Sequence, residues 1–292
     1  MKWQPLQKPV LRTEKSEEPP REEVSPRVEE TPRAAESVGQ IRKFVEEIGL
    51  AFALLTRFRV PVFKIRSTAT YASAFWAFPI VGAVMGAAGA LVFGFCMAAG
   101  LSMVAAAILT ITAMLLLGGG LHEDGFSDFW DGIGGGRTRE RKLEIMRDSR
   151  QGAYGALALV IMVALQIVLL TDIYIRAGMM ACLTVLIASE SVARGMIAVP
   201  CYFINPARGN GLGIVMKSAS RGALLTGAVL GAVIALVFML EVGIALIIGA
   251  GIGAASITFL ASRFLGGFTG DVLGATVVTA RLSALCFAAA VS

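Results

Sequence analysis

Charge is what this sequence has least of. Asp, Glu, Lys and Arg make up only 16% of its 292 residues, against about a quarter in soluble proteins, while 56% are hydrophobic. The mean hydropathy of +0.73 makes lipid the expected main solvent. Residues 67–122 hold no Asp, Glu, Lys or Arg at all, room for two helices of about 20 residues each and a turn near residue 100. No basic face with interleaved aromatics occurs, and the net charge is only +5, so a nucleic-acid partner is not expected. Histidine occurs once, at His122, which excludes a zinc site built from histidines. The four cysteines, Cys96, Cys182, Cys201 and Cys286, are too far apart in sequence to form a metal or redox pair. Each lies in or beside an apolar run and reads as a small hydrophobe.

What is present falls into two parts. Residues 1–40 are rich in proline and alternate Glu with Lys and Arg. Too little apolar surface is available there to offset the entropy of ordering, and no apolar core of a signal peptide occurs, so a disordered, retained tail is expected. Residues 41–292 are expected to form an all-α, polytopic transmembrane helical bundle. Apolar runs at 153–171, 178–199, 223–240, 243–262 and 274–291 add to the two in 67–122, making about seven spans. Small residues at helical spacing (Gly82, Gly86 and Gly89; Gly249 and Gly253) read as helix-packing positions. Ahead of these runs, Phe44, Val45, Ile48, Phe52 and Leu55 make one apolar stripe. Arg42, Lys43, Glu46 and Glu47 are expected to stay wet, as on a helix lying in the interface.

The cations set the orientation. Arg57, Arg59, Lys64 and Arg66 precede the first span, a cluster from Arg137 to Arg150 lies between the second and third, and Arg208, Lys217, Arg221 and Arg263 follow later ones. The opposite loops offer only Arg176. The positive-inside rule places the charged loops and the tail in the cytoplasm, in an inner membrane, with the C-terminus on the far side.

Chemistry concentrates in residues 118–136. Glu123, Asp124, Asp128 and Asp131 fall within nine residues, and on a helix Asp124, Asp128 and Asp131 share one face at i, i+4 and i+7. Like charges at that spacing repel, and a cation relieves the repulsion. Hard oxygen ligands favour Mg²⁺, commonly held by a few carboxylates together with substrate phosphates. A merely solvated acidic face accounts for the charge but not for its place at the end of a span, among Phe126, Phe129 and Trp130. Arg147 and Arg150, close to the next span, suit the phosphates of a diphosphate. Arg139, Arg141 and Lys142 serve equally well as a topology signal. His122 is a candidate for hydrogen bonding behind the carboxylates. Elsewhere, Glu190 and Arg194 stand at i, i+4 inside an apolar run, each the other's expected partner, and Asp271 sits in a Gly-rich approach to the last span.

Four segments in this order resemble the signatures of the cobalamin synthase (adenosylcobinamide-GDP ribazoletransferase) family: residues 121–136, 143–155 (LEIMRDSRQGAYG), 205–213 (NPARGNGLG) and 266–275 (GGFTGDVLGA). Thr56, Arg57, Phe58 and Pro61 also fit, so the resemblance covers about residues 44–291. It implies a Mg²⁺-dependent transfer in which adenosylcobinamide-GDP reacts with α-ribazole or its 5′-phosphate to give adenosylcobalamin or its phosphate, with GMP released. Glu123, Asp124, Asp128 and Asp131 would hold metal, with Asp128 or Asp131 as base. Arg147, Arg150, Arg208 and Asp271 would bind substrate, and other enzymes of cobalamin assembly are candidate partners. Two departures stand out: the long tail, and the stretch around Arg281, where the family pattern leads one to expect an acid. The alternatives are a CDP-alcohol-type phosphotransferase of lipid synthesis, whose longer aspartate spacing is not met, and an ion-coupled transporter, which would not need a compact acidic loop.

Overall fold

The structure is a computed structural model, and it describes residues 32–58, 70–238 and 240–292. Residues Met1–Val38 and Gly39–Ser292 form separate units; the second carries everything below. Residues 1–31 of the expected tail lie outside the described residues, as do Arg59, Pro61, Lys64 and Arg66. Helix α1 spans Pro32–Leu55, so residues 32–40 are helical rather than part of an irregular tail. Pro32 does not oppose this, because a proline at the first helical position lacks only an N–H that would have no partner there.

A 3₁₀ turn, Ser73–Ala77, leads into α2 (Phe78–Ala98). Ser102 caps the next helix, α3 (Met103–Gly118), by accepting the Ala105 N–H. Gly119 and Gly120 then both adopt left-handed backbone, φ 72° and 71°, which glycine alone reaches without strain. These two residues turn the chain by 93° into α4 (Leu121–Gly135), the acid-bearing helix. Short α5 (Arg139–Ile145) follows, capped by Thr138. Buried Lys142 donates to the Ile133 and Gly136 carbonyls at 2.7 and 2.6 Å, satisfying acceptors at the end of α4, so its part is structural.

Helix α6 (Ala153–Gly195) is broken at Gly178, φ 81° and ψ −176°. Cys182 Sγ lies 3.8 Å from the Leu170 carbonyl, whereas twelve residues of straight helix would separate them by about 18 Å. The chain therefore folds back on itself at Gly178. Short α7 (Ala198–Phe203) and α8 (Leu212–Lys217) precede α9 (Arg221–Phe238), α10 (Leu240–Leu265) and α11 (Gly270–Val291). No strand occurs among the described residues, only an isolated bridge between Pro206 and Phe268.

By length and composition four helical stretches can cross a membrane, or five if the bent α3–α4 pair counts as one. All seven apolar runs fall within helices, but this measure does not give seven. Sixteen-residue α3 and the apolar part of α9 are short, and residues 153–203 count once although the chain reverses within them. We read α4 as lying outside the crossing segments, since it leaves the axis of α3 so sharply.

The expected packing glycines do serve as contacts. A Cβ on Gly249 would lie 2.5 Å from the Ser283 carbonyl oxygen and one on Gly253 2.6 Å from that of Thr279, so α10 and α11 touch backbone to backbone. Gly82 and Gly86 bring α2 equally close to the second arm of α6 at Glu190 and Leu186. Helix α11 packs against α10, α4 and α6 and is the most enclosed of the membrane helices. In α1, Ile41, Phe44 and Val45 are exposed, but Glu47 is not wet as expected: it is buried and accepts a 2.7 Å hydrogen bond from Trp76 Nε1. That bond compensates the carboxylate for lost water.

Candidate active site

Two glycines build the site. A Cβ on Gly125 of α4 would lie 2.9 Å from Asp271 Cα, and one on Gly274 of α11 would lie 3.0 Å from the His122 carbonyl oxygen. Their missing side chains let the acid-bearing helix rest directly on the start of α11. Phe126 and Phe129 anchor α4 in the core, leaving Asp124 exposed and Asp128 half-buried near Asp271. Burial, then the negative charges of Asp124, Asp271 and Asp131, push the Asp128 carboxyl up to about 7, while Arg208 opposes them. Glu123 and Asp124 also occupy the first turn of α4, where the helix dipole favours negative charge.

The 205–213 loop is docked by backbone pairing. Ala207 N–H donates to the Phe268 carbonyl at 2.8 Å, and Phe268 N–H to the Asn205 carbonyl at 2.9 Å. Gly267, φ 155°, makes this possible, since a Cβ there would fall 2.8 Å from Ala207 N. The pairing delivers Arg208 to Asp271 at 3.7 Å, and its guanidinium also donates to the Leu143 carbonyl at 2.5 Å. Burial lowers the Arg208 pKa, Asp271 opposes that, and the nearby charge of Arg147 adds to it. Its Nε is buried without a partner. Arg147 reaches the Asn210 side chain at 3.4 Å.

A cavity of about 310 Å³ opens between these parts. Its polar lining includes His122, Asp124, Arg208, Asn210 and Asp271. Three of the four segments singled out in the sequence, from α4, the 205–213 loop and residues 266–275, thus meet at one place.

Three of the expected site residues have other partners in the structure. Asp131 was expected as metal ligand or base. Both of its oxygens instead accept backbone N–H groups at the start of α6, from Gly152 at 2.9 Å and Gly155 at 2.8 Å, so it caps that helix. Glu123 points away from the other acids and pairs with Arg281 at 3.0 Å. Arg150 is 87% exposed, does not line the cavity, and pairs with Asp148 at 2.6 Å. That hydrogen bond and charge hold the Asp148 carboxyl down to about 2 and raise the Arg150 pKa.

Behind α4 lies a buried network that the sequence reveals only in part. Glu190 pairs with Arg194 as expected, and its other oxygen pairs with Arg281 at 2.9 Å. Arg281 continues to Glu123, so two acids and two guanidiniums neutralise one another. Arg281 was missed as a functional position; the available signal was a lone cation inside an apolar run. His122 stands between this network and the cavity, buried, with Nε2 unpartnered.

No group of three or more His, Cys, Asp or Glu among the described residues is arranged to hold a metal by itself. Asp124, Asp128 and Asp271 nevertheless fit Mg²⁺. They are hard oxygen donors close enough to raise one another's energy when ionised, and Mg²⁺ usually takes one or two carboxylates and completes its shell with phosphate and water.

The sequence model of a family described as cobalamin-5-phosphate synthase matches residues 47–289. A relative from Mesorhizobium japonicum is 36% identical over 247 residues, 85% of this chain and 94% of its own length. One from Bradyrhizobium diazoefficiens is 39% identical over 259 residues, covering 86% and 95%. A third, from Azorhizobium caulinodans, is 40% identical over 205 residues, covering 68% and 77%. All three are named adenosylcobinamide-GDP ribazoletransferase. No solved structure matches the chain.

Proposed function

The chain belongs to the cobalamin-5-phosphate synthase family, and we propose that it transfers the adenosylcobinamide-phosphate group of adenosylcobinamide-GDP to α-ribazole or its 5′-phosphate, releasing GMP late in cobalamin synthesis. The observation that carries this reading is the convergence of Asp124, Asp271 and Arg208 on one cavity at the end of an apolar bundle, with Asp128 close beside these acids. Neither alternative, the CDP-alcohol enzyme or the transporter, shares the relatives' name.

In the reaction a ribose hydroxyl oxygen bonds to the phosphorus borne by the corrinoid, and the bond from that phosphorus to the GMP oxygen breaks. GMP leaves with the electron pair. Asp128, close beside Asp124 and Asp271, accepts the hydroxyl proton. Arg208, with Arg147 beside it, faces the charge growing on the departing phosphate, a cation stabilising the transition state more than the ground state. Asp124, Asp128 and Asp271 would hold Mg²⁺, which would supply positive charge against the diphosphate and acidify the attacking hydroxyl. The protein would lie in the inner membrane with this site cytoplasmic, because the cations gather on the loops at that end. Purified protein given both substrates and Mg²⁺ should release one GMP per corrinoid consumed. Failure to release GMP would refute the reading.

A further inference from the structure

Beyond its acids and Arg208, the cavity has a second character that the reaction has not yet used. Leu55, Phe78, Ile197, Met216 and Phe268 come from five separate places in the chain and form a buried apolar wall on it. Its volume of about 310 Å³ is at the lower end of the range of about 300–1,000 Å³ for sites that enclose small molecules. A group of nucleoside size fits there; a corrin macrocycle with its side chains does not.

Two nucleosides take part in the proposed reaction, and the wall chooses between them. Guanine carries donors and acceptors around its whole edge, and burying them against five hydrocarbon and aromatic side chains leaves them without partners, a large cost. The dimethylbenzimidazole of α-ribazole has no exocyclic polar group. Its two methyls and fused ring match such a surface, and its ribose would point to the polar side, where Asp271 can accept a hydroxyl hydrogen bond. Arg208 and His122 also line the cavity and add polar side chains to that side of it.

On the functional reading above, we propose that this cavity is the acceptor subsite, that its apolar wall binds the base of α-ribazole, and that Ile197 and Met216 set the preference for a methylated base. The guanosine and the corrin then lie outside it, reaching the site from the exposed side of Asp124 and Arg147.

Binding and turnover test this separately, using the purified full-length protein in detergent. Binding of α-ribazole is followed calorimetrically without the second substrate and compared with the riboside of unmethylated benzimidazole. Removing a methyl from an apolar pocket changes selectivity by about 10- to 200-fold, so wild type should bind the unmethylated analogue at least 10-fold more weakly. Ile197→Phe, which fills the pocket, should weaken α-ribazole by a similar factor and raise its KM, while the KM for adenosylcobinamide-GDP stays within about twofold. The analogue comparison needs no variant and so survives misfolding of Ile197→Phe. If wild type turns over but binds the two ribosides equally, or if Ile197→Phe alters only the corrinoid KM, the subsite is wrong and the functional reading stands. If wild type neither binds α-ribazole nor releases GMP, both fall.

Discussion

Arg281→Gln is the perturbation whose consequences the structure defines best. Arg281 donates to Glu190 at 2.9 Å and to Glu123 at 3.0 Å, and is only 7% exposed. Removing its charge leaves the network with one negative charge too many, in a place water cannot reach easily. Glu190 keeps Arg194, and Glu123 keeps the favourable field of the α4 N-terminus, so the damage is partial. Breaking a buried pair by deleting one partner costs about 3–5 kcal/mol, and we expect the variant to lose stability in that range. The double variant Glu190→Gln/Arg281→Gln removes one charge of each sign and should lose clearly less than the two single losses added together, by about 0.5–3 kcal/mol of coupling. Thermal unfolding in detergent, with the fraction of folded protein followed by size-exclusion chromatography, measures both. A second readout is activity per folded molecule, since Glu123 precedes Asp124 and the Arg281 contact holds α4 against α11. The rate should fall even among folded molecules. An unaltered unfolding temperature for Arg281→Gln, or strict additivity in the double variant, would refute the argument that the four groups form one unit.

Other residues give contrasting expectations. Asp128→Asn should insert and fold normally yet lose at least about 10²-fold in turnover, the scale of one well-placed electrostatic group; GMP release per inserted molecule decides it. Gly125→Ala should push α4 off α11, because its Cβ would meet Asp271 Cα at 2.9 Å, and should cost about 1–3 kcal/mol together with much of the activity; normal unfolding and turnover would contradict the close approach. Arg150→Gln should change turnover by less than about twofold, since the side chain is solvated and paired only with Asp148, and exposed pairs contribute little. A large fall in kcat for that variant would return Arg150 to the site. Cysteine introduced at Tyr174 should be labelled from outside intact cells and cysteine at Arg139 should not, in a background without the native cysteines; the reverse pattern would invert the topology.

Much of the fold was legible because a membrane makes few demands and makes them strictly. A run without charge must be helical if lipid is to surround it, so the helices fall where the apolar runs fall. The number of crossings was less legible, because it depends on where a helix bends. Gly178 opens the expected run 178–199 and reverses the chain there, whereas Gly119 and Gly120, inside an apolar segment, redirect α4 by 93°. Glycine at a span end is too common for its sequence position alone to reveal a right angle.

The acidic cluster shows a different limit. Period alone puts Asp124, Asp128 and Asp131 on one helix face, and this holds, yet a shared face does not mean a shared task. What lies opposite each carboxylate is supplied by other helices. Opposite Asp131 is the start of α6, whose free N–H groups take both its oxygens; opposite Asp128 are Asp271 and Arg208, which leave it open to chemistry. Glu123, one residue from Asp124, is turned by about 100° and meets Arg281 instead. Arg281 stands where the resemblance leads one to expect an acid, and it is matched all the same, because Glu190 and Glu123 bring two negative charges to it from α6 and α4. A buried cation among two acids and a second guanidinium leaves no net charge in the bundle. The requirement read from the sequence at Glu190 and Arg194, that intramembrane charges pair, was therefore sound, and it only needed extending across 91 residues to the helix that packs beside them.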